Sequence, residues 1–330
     1  MGTYLFFSAA AMLAGFLIDC VLGDPYRLPH PVIFIGKWIS RFEKFLRRRF
    51  PKTEKGERAA GKWLVVLTIA VSFLPPLALV IAAYLISPWL YFALETIMCW
   101  QIFAAHSLRK ESMKVARALE KGDPEAARAA LGNLVGRDTA TLDEAGMIRA
   151  AVETVAENTS DGVVAPMLAM TLFGAAGGFF YKAINTMDSM VGYRNEKYLH
   201  FGRAAAKTDD AANFVPSRIS ALFMILAAGP CGLDAAGAWR IFRRDRRKHA
   251  SPNSAQTESA CAGALGVRLA GDAYYGGVLH KKEYIGDAKR EIETADVRRA
   301  NRLMYVSVVL LLAVVLAVKF AVAFALGVSF

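Results

Sequence analysis

Four runs of about twenty residues, at 5–22, 63–86, 88–105 and 303–326, carry so little charge that the rest of the chain must be arranged around them. A bilayer core of about 30 Å takes roughly twenty apolar residues as helix, because backbone groups there find no water to satisfy them. Asp19, Glu95 and Lys319 are the ionisable residues inside these runs. All four are expected to span a membrane. Pro75-Pro76 in the second predicts a kink, or a turn between two half-helices, because proline removes backbone donors.

Two further runs, 163–193 and 212–233, are apolar but hold Lys182, Asp188 and Arg218 within them or at their edge. Charge at membrane depth is costly, so these segments are expected to face a protein interior or a wet cavity. A re-entrant or buried pair would also return the loop between them to the side where the basic segments lie. Those are 41–62, with nine Lys or Arg against three Glu, and 240–248, with six against one Asp. By the positive-inside rule both face the cytoplasm.

The 330 residues are 55% hydrophobic and 21% charged, too apolar for an ordinary soluble enzyme and too charged for a bare bundle. Polar segments at 23–62, 107–162, 194–211 and 234–302 alternate with the apolar ones. The net charge of +11 lies beside the apolar runs, which points to membrane lipid and not to nucleic acid. Cys20, Cys99, Cys231 and Cys261 are far apart and suggest neither a zinc site nor a disulfide framework. The first run lacks a preceding basic stretch and a small-residue cleavage pattern, so it is expected to stay as a span. Amphipathic helices are expected over 107–157, with a turn at Gly122-Asp123-Pro124, and a charged helix over 291–302. The expected fold class is all-α: a polytopic integral membrane helical protein with cytoplasmic helical insertions, in one integrated domain over 1–330.

Glu153, Glu157 and Asp161 recur every fourth residue and would share one helix face. Such stacked like charges need relief, and a hard cation such as Mg²⁺ takes one or two carboxylates together with a substrate phosphate. The bland alternative is a solvated acidic face paired with Arg149 or Arg137. Asn158 lies in the same run. Downstream, Lys182, Asn185, Asp188, Arg194 and Lys197 are followed by Arg203, Lys207, Asp209 and Asp210. Fixed cations mixed with carboxylates suit a nucleotide with Mg²⁺, although no P-loop occurs; interfacial ion pairs are the alternative.

Asp19, Gly23-Asp24-Pro25 and Pro29-His30-Pro31 make a rigid exit from the first span, with His30 a candidate base or a structural hydrogen bonder. Ser251, Asn253, Ser254, Asp272, Tyr274 and Tyr275 lie in a stretch rich in hydroxyls and small residues. It reads as a substrate platform or as a polar loop.

The chain closely resembles the CobD/CbiB family of adenosylcobinamide-phosphate synthases, membrane proteins of cobalamin biosynthesis. The resemblance rests on LIDCVLGDP at 17–25 with PHP at 29–31, VGRDT at 135–139, ETVAENTSDG at 153–162, KAINTMDSMVGY at 182–193, and SPNS at 251–254 with GDAYY at 271–275. It implies an ATP-dependent amide ligation of adenosylcobyric acid, a corrinoid, to aminopropanol phosphate or aminopropanol. Glu153, Glu157 and Asp161 would then hold Mg²⁺, while Lys182, Asn185, Arg194, Lys197, Arg203 and Lys207 would bind ATP. Asp188, Asp209 or His30 would take the amine proton, and Asp24, Asn158, Ser251, Asn253, Ser254, Asp272, Tyr274 and Tyr275 would meet substrate. A homo-oligomer is compatible with the sequence.

Two other classes share the same features. A transporter would use intramembrane charges to pass a solute, and a regulatory scaffold would bind a partner through its amphipathic helices. Substrate-dependent ATP consumption separates the enzyme from both.

Overall fold

The computed structural model describes residues 1–25 and 30–328; Pro29 of the PHP motif lies outside the described residues. In chain order the helices are α1 (Gly2–Leu22), α2 (Pro31–Arg49), α3 (Glu54–Ile86), α4 (Pro88–Ile102), α5 (Ala105–Glu120), α6 (Pro124–Gly132) and α7 (Glu144–Asn158). A π-helical turn, Thr159–Val164, leads into α8 (Ala165–Val191), followed by α9 (Arg203–Ala212), α10 (Phe214–Ala228), α11 (Ala235–Asp245) and α12 (Ser254–Leu265). Four short strands, β1 (Leu269–Ala270), β2 (Ala273–Tyr275), β3 (Val278–His280) and β4 (Tyr284–Ile285), precede α13 (Ala295–Ala325). β1 pairs with β4 and β2 with β3, both antiparallel. The fold is all-α apart from these two ribbons.

Four helical runs among the described residues are long and apolar enough to cross a membrane: Gly2–Leu22, Glu54–Ile86, Glu144–Val191 and Ala295–Ala325. The run expected at 88–105 is not among them. Phe103 ends α4 after 15 residues, about 22 Å of rise, which falls short of a bilayer core. Pro75 and Pro76 lie inside α3, which continues through them without a turn. In the 212–233 segment, α9 and α10 meet at a 44° bend. The polar segment 23–62 contains the whole of α2. That helix is capped by His30, opened by Pro31, whose fixed φ suits the first position, and closed by Arg47, Arg48 and Arg49, whose charges suit the C-terminal end of the backbone dipole.

The residues form two compact units, one of 1–104, 165–213 and 314–330, the other of 105–164 and 214–313. In the first, Ile35, Ile39 and Leu46 of α2 pack with Leu64 of α3, with Ile184 and Met187 of α8, and with Phe201. The three charges that interrupt the apolar runs all turn inward: Asp19, Glu95 and Lys319 are buried. Lys319 Nζ donates to Ser8 Oγ at 2.8 Å. Glu95 Oε1 accepts from Ala175 N at 2.7 Å, where Phe173 and Gly174 depart from helical geometry and break α8. A carboxylate at this point satisfies an N–H that the break leaves without its helical acceptor.

In the second unit, α5 and α6 are amphipathic as expected over 107–157, whereas α7 is buried on nearly all sides from Gly146 to Ala156. Gly122, at φ 71°, turns the chain, and Asp123 then caps α6 through a 2.9 Å bond from Ala126 N. The first half of the stretch read as a polar platform is mostly α12, every residue of which is buried, while Asp272, Tyr274 and Tyr275 lie beyond it, at or near β2. The small side chains of α12 permit that burial: a Cβ on Gly263 would come within 2.4 Å of Gly237 O on α11. The charged helix expected over 291–302 begins only at Ala295, as the first part of α13, and is continuous with the apolar run.

Candidate functional site

Two charged cavities stand out, one in each unit. The second unit holds a cavity of about 160 Å³ lined by Arg137, Glu153, Glu157, His249, Glu258, Tyr275 and Lys282, among others. Glu153 and Glu157 are one turn apart on α7, and Glu258 projects from α12. Glu153 is fully engaged: Oε1 accepts from Ala270 N at 2.6 Å and Oε2 is paired with Arg137. Glu157 Oε1 accepts from Ser254 Oγ at 2.7 Å. Glu258 is buried, and its Oε2 has no hydrogen-bond partner.

Burial, and then the charges of Glu153 and Glu157, push the Glu258 carboxyl well above its ordinary range. Burial likewise holds the His249 imidazolium below its usual value, with Glu157 acting in the opposite direction. His249 Nδ1 accepts from Ser251 N at 3.1 Å. Lys282 Nζ donates to Tyr275 Oη at 2.9 Å. Three carboxyl groups therefore face two permanent cations, Arg137 and Lys282, and Arg137 is committed to Glu153.

Asp161 does not line this cavity. It sits in the π-helical turn, where the i→i+5 pattern breaks the four-residue register that would have stacked it on Glu157. Among the described residues no three His, Cys, Asp or Glu side chains converge as a metal cage. Glu157 and the unpaired oxygen of Glu258 still fit a hard cation that arrives with phosphate ligands, since Mg²⁺ ordinarily takes one or two carboxylates from protein.

The first unit holds a cavity of about 470 Å³ lined by Arg58, Tyr193, Arg194, Tyr198, His200, Arg203, Lys207 and Asp210, with smaller residues between them. Arg203, Lys207 and Asp210 share one face of α9 by their i, i+4, i+7 spacing, and Arg58 comes from the start of α3. Gly202 lets α9 start against α8: a Cβ there would lie 1.7 Å from Val191 O. Arg194, Arg203 and Lys207 of the expected phosphate-binding set thus meet, joined by Arg58.

Lys197 is apart from them. Its Nζ donates to Tyr198 Oη at 2.7 Å and lies 3.6 Å from Glu43, beside a separate hollow lined by Arg47 and Lys52. Lys182, Asn185 and Asp188 lie along α8 and do not line the cationic cavity, and each has interactions of its own. Asp209 is buried, whereas its neighbour Asp210 reaches the cavity. His30 caps α2 through a 3.2 Å bond from Val32 N, and its Nε2 lies 3.5 Å from Asp24.

The expected substrate residues have mostly local partners. Asn253 Oδ1 accepts from Ser217 and Arg218, both at 3.3 Å, and Ser251 Oγ accepts from Asn253 N at 3.2 Å. Asn158 Nδ2 donates to Thr154 O at 3.0 Å. Asp272 accepts from Lys282 N at 3.1 Å, which fixes the lysine-bearing loop. Tyr274 O accepts from Asp138 N at 2.9 Å, and Asp138 takes the amides of Gly276 and Gly277, anchoring the β2–β3 ribbon. Ser254 and Tyr275 do reach the acidic cavity or its carboxylates.

Sequence reasoning missed Glu258, His249 and Lys282 in the acidic cavity and Arg58 in the cationic one. The signal for Glu258 is its isolation: a lone carboxylate in a run of Ser, Thr and Ala that can become a close-packed helix.

Apolar helices of spanning length define a polytopic helical membrane protein. The chain belongs to the CobD/Cbib protein family, whose profile matches residues 12–304. It is 47% identical over 298 residues to the cobalamin biosynthesis protein CobD of Geobacter metallireducens, covering 90% of this chain and 92% of the relative. It is 43% identical over 314 residues to the protein of the same name from Klebsiella pneumoniae, covering 94% and 97%. To the cobalamin biosynthesis protein CbiB of Salmonella typhimurium it is 41% identical over 309 residues, covering 94% and 97%. No solved structure matches the chain. Membership of this family supports a role in cobalamin biosynthesis.

Proposed function

We propose that this protein is an ATP-dependent amide ligase of cobalamin biosynthesis, joining adenosylcobyric acid to aminopropanol phosphate or aminopropanol at the cytoplasmic side of the cell membrane. The observation that carries the reading is the cationic cavity, where Arg58, Arg194, Arg203 and Lys207 surround about 470 Å³ with Asp210 as the one carboxylate in the lining. Fixed guanidinium and ammonium groups favour a phosphate-bearing ligand over a neutral one, and they stabilise charge on a transferring phosphoryl group.

A carboxylate is a poor acyl donor because its oxygen does not leave; its phosphorylation by ATP gives an acyl phosphate that an amine displaces, releasing phosphate. In this reading Arg58, Arg194, Arg203 and Lys207 hold phosphate oxygens. Within the acidic cavity of the second unit, Glu157 and Glu258 are the groups that would hold a Mg²⁺ ion. Glu153 stays with Arg137 and Ala270 N and fixes the wall of the acidic cavity. Ser254 orients Glu157.

Purified protein incubated with adenosylcobyric acid, ATP, Mg²⁺ and each amine separately tests this reading. It expects a product with the mass of the amide and one phosphate released per amide formed. ATP turnover unaffected by the corrinoid acid, or amide formed without ATP, would remove it. A transporter would consume no ATP in this assay, and a scaffold would give no turnover with any amine.

A further inference from the structure

A second basic groove, of about 530 Å³, lies in the second unit, apart from the acidic cavity, and takes no part in the reaction proposed above. Its two walls are the exposed faces of α5 and the start of α13. Arg109 and Arg117 stand two turns apart on α5, and Arg298 and Arg302 one turn apart on α13, and all four arginines line one opening. Glu120 is the one carboxylate in the lining, and it is already paired with Arg298. Arg109 lies over the Tyr305 ring at 5.9 Å. Arg298 is neutralised by Glu120, and Arg302 Nη2 donates to Pro230 O at 3.4 Å, so Arg109, Arg117 and Arg302 are three cations with no carboxylate of their own within the groove.

The place of the groove selects the anion. The apolar stretch of α13 starts at Leu303, immediately after Arg302, so the arginines stand at the end of a helix long and apolar enough to cross a membrane. Met113 and Val306 give the groove an apolar side next to the basic one. A free phosphate would use only the arginines. A phosphate with acyl chains attached uses both, with its headgroup among the guanidinium groups and its chains along α13.

We propose that Arg109, Arg117 and Arg302 form a binding site for the phosphate headgroup of an anionic phospholipid at the start of α13. Native mass spectrometry of the full chain in detergent, titrated with phosphatidylglycerol, phosphatidylcholine or inorganic phosphate, tests it. Wild type should bind one phosphatidylglycerol in preference to phosphatidylcholine, and millimolar inorganic phosphate should not displace it. R117Q/R302Q should weaken phosphatidylglycerol binding about thirtyfold, the change expected for two basic residues beside an anionic headgroup. R117K/R302K should retain most of the binding, which guards against a folding defect. Undiminished lipid binding by R117Q/R302Q, equal binding of the two lipids, or displacement by inorganic phosphate would each overturn the assignment.

Discussion

Ser254 donates a 2.7 Å hydrogen bond to Oε1 of Glu157, joining two motifs that lie 97 positions apart in the chain. The bond fixes one oxygen of the carboxylate and directs the other. If Glu157 helps to hold Mg²⁺, Glu157→Gln should lower the rate of amide formation at least about a hundredfold, the scale of losing one charge-stabilising group. Ser254→Ala should lower it about tenfold by freeing the rotamer, with about 1 kcal/mol lost in stability. Rates at saturating ATP, with circular dichroism as a check on folding, separate the two effects.

Glu153 should behave differently from Glu157 although it lies one turn away. Its ion pair with Arg137 is largely buried, with side chains 5% and 16% exposed. Removing one partner leaves an uncompensated buried charge, which costs about 3–5 kcal/mol. Glu153→Gln should therefore depress the unfolding midpoint strongly, whereas the double change Glu153→Leu with Arg137→Met should recover most of it. A double variant as unstable as the single one would show that the pair does not act as a unit.

The apolar runs were legible because length and hydropathy are properties of a segment alone, and α1, α3 and α13 follow them closely. Where α4 ends was not: the stop at Phe103 comes from extended backbone that no composition marks. α2 was hidden because its apolar residues are interleaved with Lys and Arg, which reads as a basic loop unless the 3.6 period is counted. The carboxylates of α7 were legible from their spacing, but the π-helical turn that removes Asp161 from the cavity is a backbone choice with no signature in residue type. Glu258 and Arg58 were invisible for another reason. Their neighbours in the sites come from distant parts of the chain, and pattern within a segment does not report tertiary proximity. His30 Nε2 lies 3.5 Å from Asp24, a proximity that was not legible in the sequence, where the two residues are given separate roles.

Asp245 predicts an acid limit to stability. Its carboxylate is fully buried, which alone would raise its pKa. Arg244 through two 2.8 Å bonds, Gly286 N at 2.8 Å and Lys248 at 2.9 Å outweigh burial and hold it down to about 2, against an ordinary 3.8. A folded value below the unfolded one means the stabilisation is present above the unfolded value and is lost as pH falls through the folded one. Wild type should thus lose about 2 kcal/mol between pH 4 and pH 2 from this group. Asp245→Asn should be less stable by a similar amount at pH 7 and should lack that part of the acid transition. Unfolding midpoints across this range, in a detergent that does not titrate there, provide the measurement.

Gly174 should tolerate no side chain. It adopts φ 60° and ψ −158° at the break in α8, a region that L residues with a Cβ avoid. Conformation is only half of the constraint, because an added Cβ would also stand 2.4 Å from Glu95 Oε1, the oxygen that accepts from Ala175 N. Gly174→Ala therefore has to displace the carboxylate or straighten the helix, and either course loses the bond. The expected cost is about 2 kcal/mol or more, the sum of backbone strain and a buried group left unpaired. Glu95→Gln keeps an acceptor for Ala175 N and should be milder than Gly174→Ala. Thermal unfolding of both variants in detergent orders them, and a Gly174→Ala protein as stable as wild type would mean that α8 is not held broken by this contact.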